Sequence, residues 1–352
     1  MARRQIESVY KKRLEDALEA GKAMDKEEFT KVEVLKEVKL DATLGGVFAV
    51  RYSYDGEILA VGFRNGAIQL LSSRTGKMIK EIRKTRHGGY AVMCMQFHTK
   101  QHHILLASTS EGHVYACNTE DGTHKQMLTE RNNEINCLDF CEDGYNFATS
   151  GKDLAVRIYD TNTCTLMKEY DGYDNSKDPS DMKCMGNTQR VFALKYHTEF
   201  NHIFLTGGWD NHVKVHFQIW DSRSTDGIKR QIWGPHICGD SLDVKGFDIL
   251  TGSWVAEDAL KVWDYTAGKP KKTVKFTGPN GAYLYCAQFC DNNVVLAGGS
   301  GTNSTRAINM DTNEVIGEVK MTKPVQALDT TMGGRLFAVA GADDCIKLCA
   351  MS

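Results

Sequence analysis

Seven hexapeptides in this chain share one pattern, and that repetition restricts the fold more than any other feature. They run Val47-Phe-Ala-Val-Arg-Tyr52, Val92-Met-Cys-Met-Gln-Phe97, Ile135-Asn-Cys-Leu-Asp-Phe140, Val191-Phe-Ala-Leu-Lys-Tyr196, Gly239-Asp-Ser-Leu-Asp-Val244, Leu284-Tyr-Cys-Ala-Gln-Phe289 and Val325-Gln-Ala-Leu-Asp-Thr330. A small residue stands third in each: Ala49, Cys94, Cys137, Ala193, Ser241, Cys286 and Ala327, spaced 45, 43, 56, 48, 45 and 41 positions apart. Between them, short alternating apolar and polar runs are broken by Gly, Asp and Asn, as in strands joined by tight turns. Asn146 to Asp160 is the most regular stretch. An apolar strand there meets a Gly-Lys-Asp turn and a second alternating strand that ends on Tyr159-Asp160.

A hairpin that recurs is a unit of assembly, because one unit cannot bury its apolar face alone and must stack on a neighbour. A period of about 40–45 residues with four short strands per unit predicts an all-β, β-propeller fold, and seven anchors predict seven blades. Outer strands are expected at 77–82, 125–128, 166–170, 228–233, 272–276 and 314–319. The seventh unit stops after its third strand, at Cys345 to Ser352. Val32 to Leu40 has the same alternation and no unit of its own, so it is assigned to the seventh blade's outer edge, which would otherwise stand exposed. The propeller then takes 29–352 as one domain, with 1–28 as a separate arm.

On these residues the chain resembles the WD-repeat β-propellers, over everything except the arm. The family's aromatic–Asp signature stands as Tyr159-Asp160, Trp220-Asp221 and Trp263-Asp264. At the matching places elsewhere are Leu71-Ser72, Cys117-Asn118, Met310-Asp311 and Cys349-Ala350. The family's buried hydrogen-bonded set of Asp, His, Ser/Thr and Trp is complete in no unit. The third has Thr149, Asp153 and Tyr159 without a His; the second has His87 but Ala107 in the hydroxyl's place. The blades are therefore expected to depend mostly on apolar packing. The resemblance also implies that the outer-to-inner and second-to-third strand connections share one face, the top. It further implies a non-enzymatic scaffold in an assembly: cytoskeletal or ciliary, a ubiquitin-ligase receptor, or an RNA or chromatin machine.

Three departures from regularity fall on units three to five. An insertion occupies 171–187, the third strand of the fourth unit runs long over 211–220, and the turn at 254–258 is extended. In the arm, Ile6, Val9, Tyr10, Leu14, Ala17 and Leu18 fall on one helical face. Its basic residues precede its acidic ones, which opposes the helix dipole at a cost of about 0.3–1 kcal/mol per exposed charge. Such a short amphipathic segment is a frayed, solvated tail, a helix packed on its own propeller, or an arm that offers Arg3, Arg4 and Tyr10 to a partner, for instance an acidic cytoskeletal polymer.

Composition removes several function classes. A net charge of −2 gives no basic field for direct nucleic-acid recognition. No stretch approaches the roughly 18 apolar residues of a membrane span, and the first residues lack a secretory apolar run, so no membrane role and an intracellular, cytoplasmic setting are expected. Eleven cysteines invite a metal reading. Cys137/Cys141, Cys286/Cys290 and Cys345/Cys349 are each four apart, which on a strand is about 13 Å, too far to share one zinc at about 2.3 Å. They read as core thiols, with Cys164, Cys184 and Cys238 on loops. His102-His103 and His212/His216 point to no ligand set, and no cofactor or catalytic motif appears. Asp343-Asp344 and Glu257-Asp258 read as solvated turn carboxylates. An enzyme working in the central channel would need acid/base groups on the inner strands, where the alignment shows Ala, Cys and apolar residues.

The remaining candidates are surface residues. Arg64, Tyr90, Arg190, Trp209, Trp233, Trp254 and Tyr283 are expected on the top face, with Tyr173 on the inserted loop. Aromatic residues and Arg dominate binding hot spots. One or more protein partners, bound by a monomeric propeller, is the expected role.

Overall fold

The computed structural model describes residues 28–84, 89–172, 186–209, 216–224 and 228–352. Within them lie seven four-stranded antiparallel sheets, the blades of one propeller. The inner strands are Val47–Tyr52, Val92–Phe97, Ile135–Phe140, Val191–Tyr196, Leu242–Lys245, Leu284–Phe289 and Val325–Thr331, and they number blades 1 to 7. The seventh sheet is completed as expected: Val32–Lys39 pairs antiparallel with Cys345–Met351, Val32 opposite Met351 and Val38 opposite Ile346. The Ser352 carbonyl accepts the Thr30 and Lys31 amides, both at 2.8 Å. The helix expected in the arm lies outside the described residues.

Seven clusters of buried apolar side chains lie one at each junction of neighbouring blades. The small third residue sits in this crowding; the Cys94 thiol, for example, lies 3.5 Å from the Leu138 carbonyl of the next inner strand. Two expectations shift in register. The outer strand of blade 5 is Lys269–Val274 rather than 272–276. In blade 6, Ile308 lies opposite Val295 as Tyr159 lies opposite Phe147, so the signature position there is Ile308-Asn309 rather than Met310-Asp311.

A bulge re-aims the inner strands. In blades 1, 2, 3, 4, 6 and 7 the pairing register slips between the first and third residues. An extra unpaired residue breaks strict alternation. The second and fifth positions then point together towards the channel: in blades 1, 2 and 4 these two are half-buried and the other four fully buried.

Polar networks brace blades 3 to 5 in addition to apolar packing. Glu130, its side chain 2% exposed, accepts the Tyr159 hydroxyl at 3.0 Å and the Thr149 hydroxyl, and pairs with Arg157 at 3.0 Å. It fills the place where the third unit lacked a His. In blade 4, Trp220 Nε1 donates to Thr206 Oγ1 at 2.8 Å, and that hydroxyl donates to Asn187 Oδ1 at 3.0 Å. In blade 5, Trp263 Nε1 donates to Thr251 Oγ1 at 2.8 Å. In blades 3 and 4, Glu130 and Asn187 stand as buried acceptors where the family's His is missing, so polar networks add to the apolar packing expected there.

A candidate partner-binding face above a charged channel

Backbone ladders between blades fix an aromatic arc on the top face. The Trp209 amide donates to the Arg190 carbonyl at 3.0 Å, an approach that needs Gly208, where a Cβ would meet that oxygen at 2.5 Å. The connection into blade 5 is then held on both sides: the Ile237 amide donates to Gly208 O at 3.1 Å, and the Trp254 amide to His236 O at 2.7 Å. One blade further, the Tyr283 amide donates to Val255 O at 3.0 Å. Four rings are thereby set in sequence. Trp209 and His236 meet edge-on with centroids 5.6 Å apart, His236 and Trp254 at 6.2 Å, and Trp254 and Tyr283 at 5.0 Å. Trp209 is 39% exposed, the other three half-buried. Trp254 Nε1 is buried and has no hydrogen-bond partner among the described residues.

Charge flanks one end of the arc. Glu134 receives Lys152 Nζ at 2.8 Å and Arg190 at 3.0 Å, and the Arg190 guanidinium lies 5.9 Å from the Phe192 ring. Burial pushes the Glu134 carboxyl up, but the Lys152 hydrogen bond and the Arg190 charge outweigh it and hold the group below its ordinary range. Two cations about one carboxylate leave a single net positive charge beside Trp209. Beyond Trp254, Glu257 and Asp258 are exposed.

Trp209, Arg190, Trp254 and Tyr283 are thus brought together. Arg64 and Tyr90 are not: both are exposed on blades 1 and 2, Arg64 against the Gly45-Gly46 connection and Tyr90 beside Gly66. Tyr173, Arg3, Arg4, Tyr10 and the Trp233 side chain lie outside the described residues. His236 was missed, since nothing in its spacing sets it apart from other connection residues. Asp343 is a correction: it is 5% exposed, and one oxygen accepts both the amide and the hydroxyl of Thr322 at 2.7 Å, which with burial working against them hold its carboxyl low. Asp344 beside it is exposed. The described cysteines are free thiols, all buried except the half-buried Cys164 and Cys238.

The channel also departs from expectation. Its fifth positions are Arg51, Gln96, Asp139, Lys195, Asp243, Gln288 and Asp329, all polar. Asp139, Asp243 and Asp329 each accept an amide of the next blade, from Tyr196 at 2.7 Å, Phe289 at 2.9 Å and Tyr52 at 2.6 Å. Gln96 and Gln288 donate to Asp139 and Asp329, and Lys195 lies 3.9 Å from Asp243. Arg51 crosses the channel to Asp240 at 2.9 Å and Asp329 at 3.1 Å. Acidic and basic groups therefore converge where apolar ones were expected. Each is engaged in pairing one blade to another: the fifth-position carboxylates tie their neighbours together and Arg51 spans the ring.

The family description Vps8 β-propeller matches residues 24–143. Among known proteins, the chain is 22% identical to the WD repeat-containing protein slp1 of Schizosaccharomyces pombe, over 73% of this chain and 48% of that protein. It is also 22% identical to cell division cycle 20.1, cofactor of APC complex, of Arabidopsis thaliana, over 78% of this chain and 56% of that one. The chain spans about half the length of these relatives.

Proposed function

This chain is a WD-repeat β-propeller, and on that premise we propose that it is a non-enzymatic interaction scaffold that docks a protein partner on the top face of blades 4 to 6. One observation carries the reading: the arc Trp209–His236–Trp254–Tyr283 offers exposed and half-buried aromatic surface. Rigid aromatics give contact area at low entropic cost. The positive charge at Arg190 and Lys152 fits a partner segment with an apolar anchor and an acidic residue on the blade 3 side. Relatives named as cofactors of a complex support an adaptor role within a larger assembly. The channel's ionisable groups act as structural pairs in this account, because an Arg-bound carboxylate is a poor general base. The free thiols support a reducing, intracellular setting.

The test compares affinity capture by the full chain with capture by the double variant Trp209→Ala, Trp254→Ala, after circular dichroism has shown both to be folded. Loss of specific partners from the variant supports the reading. Unchanged recovery by a folded variant rejects it.

A further inference from the structure

The face opposite the aromatic arc is formed by the turns that join first to second strands: 53–57, 98–103, 141–145, 197–202, 246–247, 290–293 and 332–335. Contacts between neighbouring blades close them into a ring around the lower channel mouth. Tyr54 and His102 have centroids 4.5 Å apart, Lys100 lies 3.8 Å from Glu142, and Asn201 donates to Asp143 at 2.7 Å. His197 and Phe247 follow at 6.2 Å, Lys245 donates to Asp291 at 2.9 Å, and the Asp291 amide to Gly333 O at 2.8 Å. Gly56 then packs against Thr331 and Met332. The ring exposes Tyr54, Tyr145, Phe247 and Met332, on blades 1, 3, 5 and 7. Asp55, Glu57, Glu142, Asp143, Glu199 and Asp291 stand on it with Lys100, Arg335 and, at a strand end, Lys245: six carboxylates against three cations. Glu142 and Asp291 pair with the two lysines and Glu57 with Arg74 of the adjoining turn. Asp55, Asp143 and Glu199 make no ion pair among the described residues.

The chain enters the propeller at this same face. Val32 pairs with Met351 at the lower end of blade 7, and the Met351 amide donates to Arg335 O at 2.8 Å. Phe29 is buried, with the Arg335 guanidinium 5.3 Å from its ring. Residues 1–27 therefore lead off from the turn that carries Met332 and Arg335. The first fourteen of them hold Arg3, Arg4, Lys11, Lys12 and Arg13 against Glu7 alone, with Ile6, Val9, Tyr10 and Leu14 as an apolar stripe. We propose that this basic, apolar half of the arm docks on the turn ring of its own chain, across the lower channel mouth. Exposed apolar side chains ringed by polar ones mark such contact surfaces, and the unpaired carboxylates offer the arm's cations charge-assisted hydrogen bonds. The connection is long enough: residues 15–28 span up to about 45 Å extended or about 20 Å as a helix, while outer and inner strands of a blade lie about 15 Å apart. Tethering holds the arm at an effective concentration on the order of millimolar, ahead of a free partner of the same chemistry. The proposal uses the face opposite Trp209 and Trp254, so failure of either reading leaves the other standing.

The experiment is carbodiimide cross-linking of the full chain, as a mixture of isotope-labelled and unlabelled protein, with the joined peptides identified by mass spectrometry. Cross-links from Lys11 and Lys12 to Asp55, Asp143 or Glu199 within one chain are expected. Their yield should fall at least about fivefold in the full-chain variant Val9→Asp, Leu14→Asp, which removes the apolar stripe. The rim variant Phe247→Ser, Met332→Ser should lower it several-fold while circular dichroism stays unchanged. Cross-links spread evenly over the surface, or centred on Glu257 and Asp258 of the top face, would overturn the proposal. So would an unchanged yield in the arm variant. Cross-links that join labelled to unlabelled chains would assign the ring to a second copy and overturn it as well. Should the rim variant fail to fold, the arm variant decides, since residues 9 and 14 precede the propeller.

Discussion

Blades 3 to 5 and blades 1, 2, 6 and 7 solve the same packing problem differently. Where Tyr159, Trp220 and Trp263 stand in the first group, the second has Leu71, Cys117, Ile308 and Cys349, all buried. Each aromatic of the first group has a Thr on the adjacent strand, one strand inward, and the Glu130 and Asn187 acceptors come from the connection entering blades 3 and 4. The second group has Val61, Ala107, Ala297 and Val339 at the Thr positions. Polar networks fix strand geometry through directional bonds, whereas apolar packing tolerates small shifts. The hydrogen-bonded blades are also those that carry Trp209, His236 and Trp254. Rigid blades under the aromatic arc are what a preorganised docking surface requires.

The largest effect should come from Glu130. Glu130→Ala leaves Arg157 with Asp153 and Glu169 but removes the acceptor for Tyr159 and Thr149, and breaking a buried pair costs about 3–5 kcal/mol. The nearest comparison outside the group, Cys117→Ala in blade 2, removes one buried sulfur and is expected to cost about 1–2 kcal/mol. Urea denaturation of the two variants measures the gap; equal losses would erase the contrast between the groups.

Trp220→Phe comes next. It keeps most of the ring's packing but removes the donor to Thr206, for an expected loss of about 1–3 kcal/mol. Ile308→Val in blade 6 should cost about 0.5–1.5 kcal/mol. A smaller loss for the tryptophan variant would show that its hydrogen bond contributes little.

A pH effect should appear in both groups alike. His98 in blade 2 and His197 in blade 4 follow equivalent inner strands and are buried, and each uses Nδ1 to accept amides of the following turn, from Lys100 at 3.0 Å and Glu199 at 3.1 Å. Burial first, and neighbouring histidines for both, lower the two pKa values; for His197 the Glu199 charge pulls the other way. A folded pKa below the ordinary value of about 6.5 means that the unfolded chain binds protons first as pH falls. The stability contribution is present above that value and declines as pH drops towards the folded pKa. Denaturation midpoints between pH 7.5 and 5 should fall, and the fall should be shallower in the variant His98→Asn, His197→Asn. An unchanged slope would rule out these two groups as its source.

The smallest stability change belongs to the surface. Trp209→Ala should shift unfolding free energy by no more than about 0.5 kcal/mol, since its ring is 39% exposed and no hydrogen bond from its indole is needed by the blades. A large loss would mean that Trp209 is part of the core and not of a docking surface.

The blades were legible in the sequence because seven small residues must each fit between crowded strands, and that demand recurs at nearly constant spacing. The closing strand was legible because Val32 to Lys39 alternates and no other segment could cover blade 7. The polar channel was also written there, in the unbroken polar series at the fifth positions, but the reading rested on the Ala, Cys and apolar residues that the alignment put forward. The bulge that re-aims the strand leaves no mark in composition. Glu130 escaped because its role follows from Thr149 on one strand and Arg157 and Tyr159 on the next converging on it, and Asp343 because adjacent turn carboxylates look alike until one is seen to cap Thr322. The arc was half visible: Trp209 and Trp254 stand at equivalent turns, but only the threading of the connection between them shows that His236 joins their rings.

Hydrogen–deuterium exchange on the full chain, free and bound to its captured partner, tests the docking claim most directly. Protection confined to peptides spanning 207–209, 234–239, 253–257 and 281–284 is the predicted result. Protection centred instead on Arg64 and Tyr90, with those four segments exchanging as in the free chain, would contradict it.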